Sequence, residues 1–187
     1  MSLYRSPRLL RALISALLYI CAAAPAVAQP DADAVAAQQR IEAAYLYKFG
    51  SYVTWPDRAF AGADSPIVIG VAGADTLAED LTTLVAGRDI GGRPVRVRIV
   101  QPDDPLDGID ILFVGSHADA LISAAHGLPI LVVTGGADGL ARGACVSFVL
   151  VDDRVRFDVA LDAAQQNGLK LSALLLSVAH SVSGTKP

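Results

Sequence analysis

The stretch IEAAYLYKFGSYVTWP, residues 41–56, is the part of this chain on which the reading of the remainder turns. Ile41, Tyr45, Phe49, Tyr52 and Val53 recur at spacings of three and four, which stacks them on one face of a helix. A face of that kind has to be buried. The stretch also holds Tyr45, Tyr47, Phe49, Tyr52 and Trp55, five of the eleven aromatic residues of the chain. Such a density marks either the keystone of a core or a surface for a partner, since Tyr and Trp serve both. Pro56 disfavours helical geometry at Trp55. A helix is therefore expected over 34–54, with Asp33 as its N-cap and the indole near a corner.

Downstream, Pro56, Gly62 and Pro66 mark a loop, and IVIGV (67–71) is a short β-branched run that suits a strand buried on both faces. Gly73 turns the chain into a helix over 76–86. VRVRIV (95–100) alternates, which places it near a sheet edge with Arg96 and Arg98 facing water. Further strands are expected at 109–114 and 129–133, separated by a helix at 117–125. Runs at 144–151 and 154–159, parted only by Asp152 and Asp153, predict a two-residue hairpin. Helices at 161–166 and 169–182 follow, broken by Gly168. Strands alternating with helices predict a single α/β domain: a mostly parallel sheet of about five to six strands with helices on both faces, closed by a C-terminal β-hairpin plus helix.

Upstream, Arg5, Arg8 and Arg11 precede the apolar run 12–24, which closes on Ala26, Val27 and Ala28. A basic head, a short apolar middle and small residues at the cleavage positions predict a signal peptide over 1–28, cleaved after Ala28. The domain would then span 29–187. Of 187 residues, removal of 28 leaves 159, enough for one domain with a real core. The leader takes three of the 15 basic residues and none of the 19 acidic ones, so the remainder carries a net charge of −7. An acidic domain is a poor binder of nucleic acid. Its one cysteine, Cys145, has no intramolecular partner and sits in an apolar run, as a buried thiol would.

Few residues point to catalysis. Gly70 and Gly73 lie at a strand-to-helix turn, but with the wrong spacing for a dinucleotide fingerprint and without the lysine of a P-loop. Gly135, Gly136 and Gly139 form a looser loop that either admits a ligand or is only mobile. His117, His126 and His180 have no metal-ligand spacing, and no GxSxG frames a nucleophile. Asp103, Asp104, Asp107 and Asp110 lack the closing glutamate of a calcium loop, leaving a solvated loop as the default. No cofactor is expected.

The ordered succession AAYLYKFGSYVTWP, PIVIGVAG, GRPVRVR, IDILFVG, PILVVT and VRFDVALDAAQQNGLKLSALLLSVA, running from Glu42 to Ala179, resembles the YfiR family of periplasmic regulators. The resemblance implies a periplasmic binding protein, not an enzyme. Such a protein represses an inner-membrane diguanylate cyclase, or a comparable sensor kinase, by binding its periplasmic domain, which lowers cyclic di-GMP and biofilm formation. An OmpA-like outer-membrane lipoprotein can sequester it, and a homodimer is plausible. The positions matching the family core are Tyr45, Lys48, Phe49, Trp55, Pro56, Gly70, Gly73, Gly115, Phe157, Gly168, Leu171 and Ser172. As partner contacts, Tyr47, Lys48, Trp55, Arg156 and Lys170 stand out, because charged or aromatic groups in apolar elements mark interfaces. The lone Cys145 excludes the internal disulfide that some members carry. The alternative is a periplasmic small-molecule binding protein feeding a sensor or transporter, with an aromatic-lined pocket around Trp55.

Overall fold

A computed structural model describes residues 32–184. The signal peptide expected over 1–28 lies outside the described residues. Among the described residues, 33–184 form one compact unit. It opens with helix α1 (Ala32–Phe49), followed by β1 (Val53–Thr54), β2 (Ile67–Ala72), α2 (Asp75–Val85), β3 (Asp89–Ile90), β4 (Arg93–Ile99) and β5 (Ile111–Val114). Then come α3 (Ala120–Ala124), β6 (Leu131–Gly135), β7 (Val146–Val151), β8 (Arg154–Ala160), α4 (Leu161–Gln166), β9 (Lys170–Leu171), α5 (Ala173–Val178) and β10 (Ser181–Ser183).

Eight strands form the central sheet in the order β10-β8-β7-β6-β5-β2-β4-β3. The run from β4 through β2, β5 and β6 to β7 is parallel, and β8 returns antiparallel. The expected α/β fold with a mostly parallel sheet is therefore what forms. All four residues of β5 are buried, as are Leu131 to Thr134 of β6, because both faces of these strands are covered. The two strands beyond the expected six are short edge pieces. β3 pairs antiparallel with β4, and β10 pairs parallel with β8.

The core is aromatic where α1 crosses the hairpin. Phe49 packs edge-on to Phe157 at 5.1 Å and stacks on Phe148 at 5.9 Å, while Tyr45 meets Phe157 at 5.4 Å. The hairpin turns as expected on Asp152 and Asp153, whose φ values of 49° and 56° put both in the left-handed region. Two such residues are what a type I′ turn demands.

Three expectations change. Helix α1 stops at Phe49, not near Thr54. Gly50 lies against β3, where a Cβ would come within 2.5 Å of the Ile90 side chain, and the chain turns there. Val53 and Thr54 leave the helix to pair antiparallel with Leu171 and Lys170. The buried face of α1 is accordingly Glu42, Ala43, Leu46 and Phe49, with Ile41 exposed. Second, the helix expected over 169–182 is a strand, a short helix and a strand. The Ser172 hydroxyl accepts from the Leu175 amide and caps α5, while the Ser172 amide donates to the Tyr52 carbonyl. An apolar run of this length reads alike as helix or as a strand pair. Third, Arg98 does not simply face water. Its guanidinium donates to the carbonyls of Pro105 and Asp107 and pins the loop 101–108.

Candidate functional site

In open parallel sheets, ligands bind outside the carboxyl ends of the strands, where the strand order reverses. Here the reversal falls between β2 and β5, whose crossovers lead away in opposite directions to β4 and β6. Backbone fills that crevice. The Gly115 amide donates to the Ala72 carbonyl and the Ser116 amide to the Gly73 carbonyl. A Cβ on Gly73 would stand 2.1 Å from the Ser116 oxygen, and one on Gly115 would stand 2.4 Å from the Gly73 oxygen. The glycines at this turn serve close contact between two loops and leave no cradle for phosphate.

The Gly135–Gly139 loop is also tied down. Ser147 donates from its hydroxyl to the Gly136 carbonyl and lies 3.1 Å from the buried Thr134 hydroxyl. A Cβ on Gly139 would fall 1.9 Å from that Thr134 oxygen. Close passage over two buried hydroxyls, not mobility, accounts for this glycine.

At the opposite end of the sheet, Trp55 is 8% exposed, and its indole Nε1 donates to the Asp110 carbonyl at 3.2 Å. The Asp110 carboxylate accepts from the Val68 amide at 2.8 Å. Burial pushes that carboxyl up to about 6, with the Val68 bond and the charge of Arg93 opposing the shift. Asp110 thus leaves the group of solvated acids in which the sequence placed it. It locks the entry of β2 to that of β5, while Asp103, Asp104 and Asp107 stay exposed. Nothing in the residue pattern separated it from its neighbours except its place directly before an apolar run. Beside it, an open hollow of about 390 Å³ is lined by Trp55, Phe60 and Arg93.

The five residues singled out as contacts do not form one cluster. Tyr47 is half-buried, its hydroxyl donating to the Asp89 carbonyl, with the Arg88 guanidinium 5.7 Å above its ring. Lys48 is exposed at the end of α1. Trp55 is buried as described. Arg156 is exposed on the side of β8 away from α1, since the neighbouring Phe157 points to α1 and strand residues alternate. Lys170 is exposed on β9, opposite Thr54.

Lys170 alone among them borders a large apolar hollow. A groove of about 470 Å³ is lined by Leu161, Ala164, Leu169, Leu171, Ala173 and Leu176, with Gln165 and Lys170 as its polar members. On α5, Leu174 is 56% and Val178 53% exposed, four residues apart on one helix face, and Val182 of β10 is exposed as well. One long packed helix over 169–182, as the sequence predicts, would cover both the groove and these side chains; the break at Ser172 leaves them open. Among the described residues no group of His, Cys, Asp and Glu is placed to hold a metal, and no helix is long and apolar enough to cross a membrane. Cys145 is buried, and burial raises its thiol to about 11.

A family model described as YfiR/HmsC-like matches residues 39–180. The chain belongs to the YfiR/HmsC-like family. None of the curated proteins matches it. Among solved structures, this YfiR/HmsC-like domain is similar to a conserved domain protein from Vibrio cholerae O1 biovar eltor str. N16961, at 15% identity and a TM-score of 0.45. That match covers 62% of this chain and 54% of the other. It is also similar to an ABC transporter, LacI family transcriptional regulator from Brachyspira murdochii, at 10% identity and a TM-score of 0.40, covering 80% of this chain and 58% of that one. The chain thus spans little more than half the length of either. In this YfiR/HmsC-like domain the family-core positions Phe49, Trp55, Gly73, Gly115 and Phe157 all serve packing or close backbone contact.

Proposed function

We propose that this protein is a periplasmic regulatory binding protein that represses an inner-membrane signalling enzyme, a diguanylate cyclase, by docking on its periplasmic domain. The observation that carries the reading is the YfiR/HmsC-like match over residues 39–180, which runs from within α1 through the whole of α5. The fold is compatible with it. The crevice where an α/β enzyme would hold its substrate is filled by the Gly73 and Gly115 backbones, whereas the apolar groove lined in part by Ala173 and Leu176 of α5 is open, and the other face of α5 exposes Leu174 and Val178. Exposed apolar surface of this kind is where proteins meet. The cyclase's periplasmic domain is assigned to that groove, with Lys170 as the charged contact on its border. An OmpA-like outer-membrane lipoprotein competing for the regulator would complete the switch, because a protein divided between two partners reports on envelope status through differential affinity alone. Deletion of the gene should raise cyclic di-GMP and biofilm formation. An unchanged cyclic di-GMP level would remove the proposal.

A further inference from the structure

Glu42 is 6% exposed, on the buried face of α1, and belongs to no ion pair among the described residues. Its carboxylate accepts from the Gln38 side-chain amide at 2.7 Å, one turn earlier. Desolvation raises its pKa, with the Gln38 bond opposing. A buried carboxyl with a single neutral partner is costly, and helices do not ordinarily place one on their core side. The groups around it explain what it faces. Gln38 and Glu42 line a cleft of about 260 Å³ together with Gly135, Gly136, Phe148 and Leu150. One wall is therefore a carboxyl and an amide, another is backbone, and the floor and lip are apolar. No Lys, Arg or His lines the cleft.

We propose that the cleft between α1, the Gly135–Gly136 turn and the turn-proximal half of β7 binds a small organic cation, a primary amine carried on an apolar body. The ammonium would supply the counter-charge that Glu42 lacks, donating to the carboxylate and to the Gln38 carbonyl oxygen. The apolar body would lie on Phe148 and Leu150. At about 30 Å³ for each water in the liquid, the cleft has room for a molecule displacing roughly nine waters. An amino acid fits less well than the amine made by removing its carboxylate, because the lining holds no Lys, Arg or His to pair with that second charge and Glu42 would repel it. A ligand seated here touches α1, β6 and β7 together, so it would hold the aromatic helix to the hairpin and stabilise the folded form by mass action. The site is distinct from the C-terminal groove, and it stands whether or not that groove binds a cyclase.

Titration calorimetry on the purified protein tests this with phenethylamine, hexylamine, 2-phenylethanol and phenylalanine. Saturable binding of an amine is expected, with the alcohol and the amino acid at least about tenfold weaker. Glu42→Gln keeps the shape and a hydrogen bond to Gln38, and should weaken amine binding by about tenfold or more. Leu150→Lys, at a position 60% exposed and outside the core, should weaken it through charge repulsion with little effect on folding. No saturable heat from either amine, equal binding of the alcohol, or undiminished binding by both variants would overturn the proposal.

Discussion

Phe49 on α1 and Leu174 on α5 are large apolar residues within helices, yet the first is sealed between Phe148 and Phe157 while the second is 56% exposed. The difference lies in what holds each helix. α1 has 18 residues, and its contact with the hairpin is made of rings, so its seat on the sheet rests on buried area. α5 has six residues and buries only Leu175 fully. Its ends are fixed instead by backbone pairing, through β9 to β1 and β10 to β8, and by His180, whose amide donates to the Phe157 carbonyl and whose ring meets the Asp158 carboxylate at 2.8 Å. A helix anchored by its flanking strands need not bury its own leucines. Aromatic density in this chain marks depth, and unburied leucine marks surface.

The sharpest way to break that contrast is to truncate both residues. Phe49→Ala should cost about 3–5 kcal/mol in urea denaturation, through lost burial and the cavity left behind. Leu174→Ala should stay within about 0.5 kcal/mol. Comparable losses at the two sites would mean that α5 is packed in a way the exposed face of Leu174 does not allow.

Next in size is the buried acid beneath Trp55. Asp110 is raised from 3.8 to about 6, chiefly by desolvation. A raised folded-state value means that its contribution to stability is complete below about 3.8 and is lost as the pH climbs through about 6. Asp110→Asn can still accept from the Val68 amide and carries no charge. Its denaturation midpoint should be flatter than wild type between about pH 4 and pH 7. Any remaining slope of the same sign belongs to Glu42, which is raised for the same reason. An unaltered slope would mean that Asp110 is solvated.

The smallest effect concerns the hairpin turn. Asp152 and Asp153 both occupy left-handed conformations, which Asn and Gly adopt at lower cost. Replacing the pair by Asn and Gly should raise stability by about 1 kcal/mol, measured by thermal denaturation. A loss instead would show that the aspartates make contacts beyond the turn itself.

Much of the fold was legible in the residues. The buried strands, the hairpin at Asp152 and the alternation of strand and helix all follow from hydrophobic period and turn chemistry. The boundaries that failed have physical causes. Pro56 was read as the end of α1, but the chain turns six residues earlier, where Gly50 meets Ile90, a contact distant in sequence. In LKLSALLLSVAHSVS the apolar residues are compatible with both a helix and short strands, so period does not divide it, and the capping role of Ser172 is visible only once Tyr52 is seen to take its amide. The binding surfaces were the least legible part. Trp55 drew attention as an aromatic in an apolar element and proved to be a buried hydrogen-bond donor. Leu174 and Val178 looked like ordinary helix core.

The account stands or falls on whether the C-terminal apolar surface carries repression. In a strain lacking the gene, cyclic di-GMP should fall on complementation with the wild-type protein. It should stay high with Leu174→Glu and Val178→Glu combined, although the variant accumulates and folds as wild type does. A variant that lowers cyclic di-GMP as well as wild type would contradict the assignment of that surface, and a level indifferent to the wild-type protein would contradict the regulatory function itself.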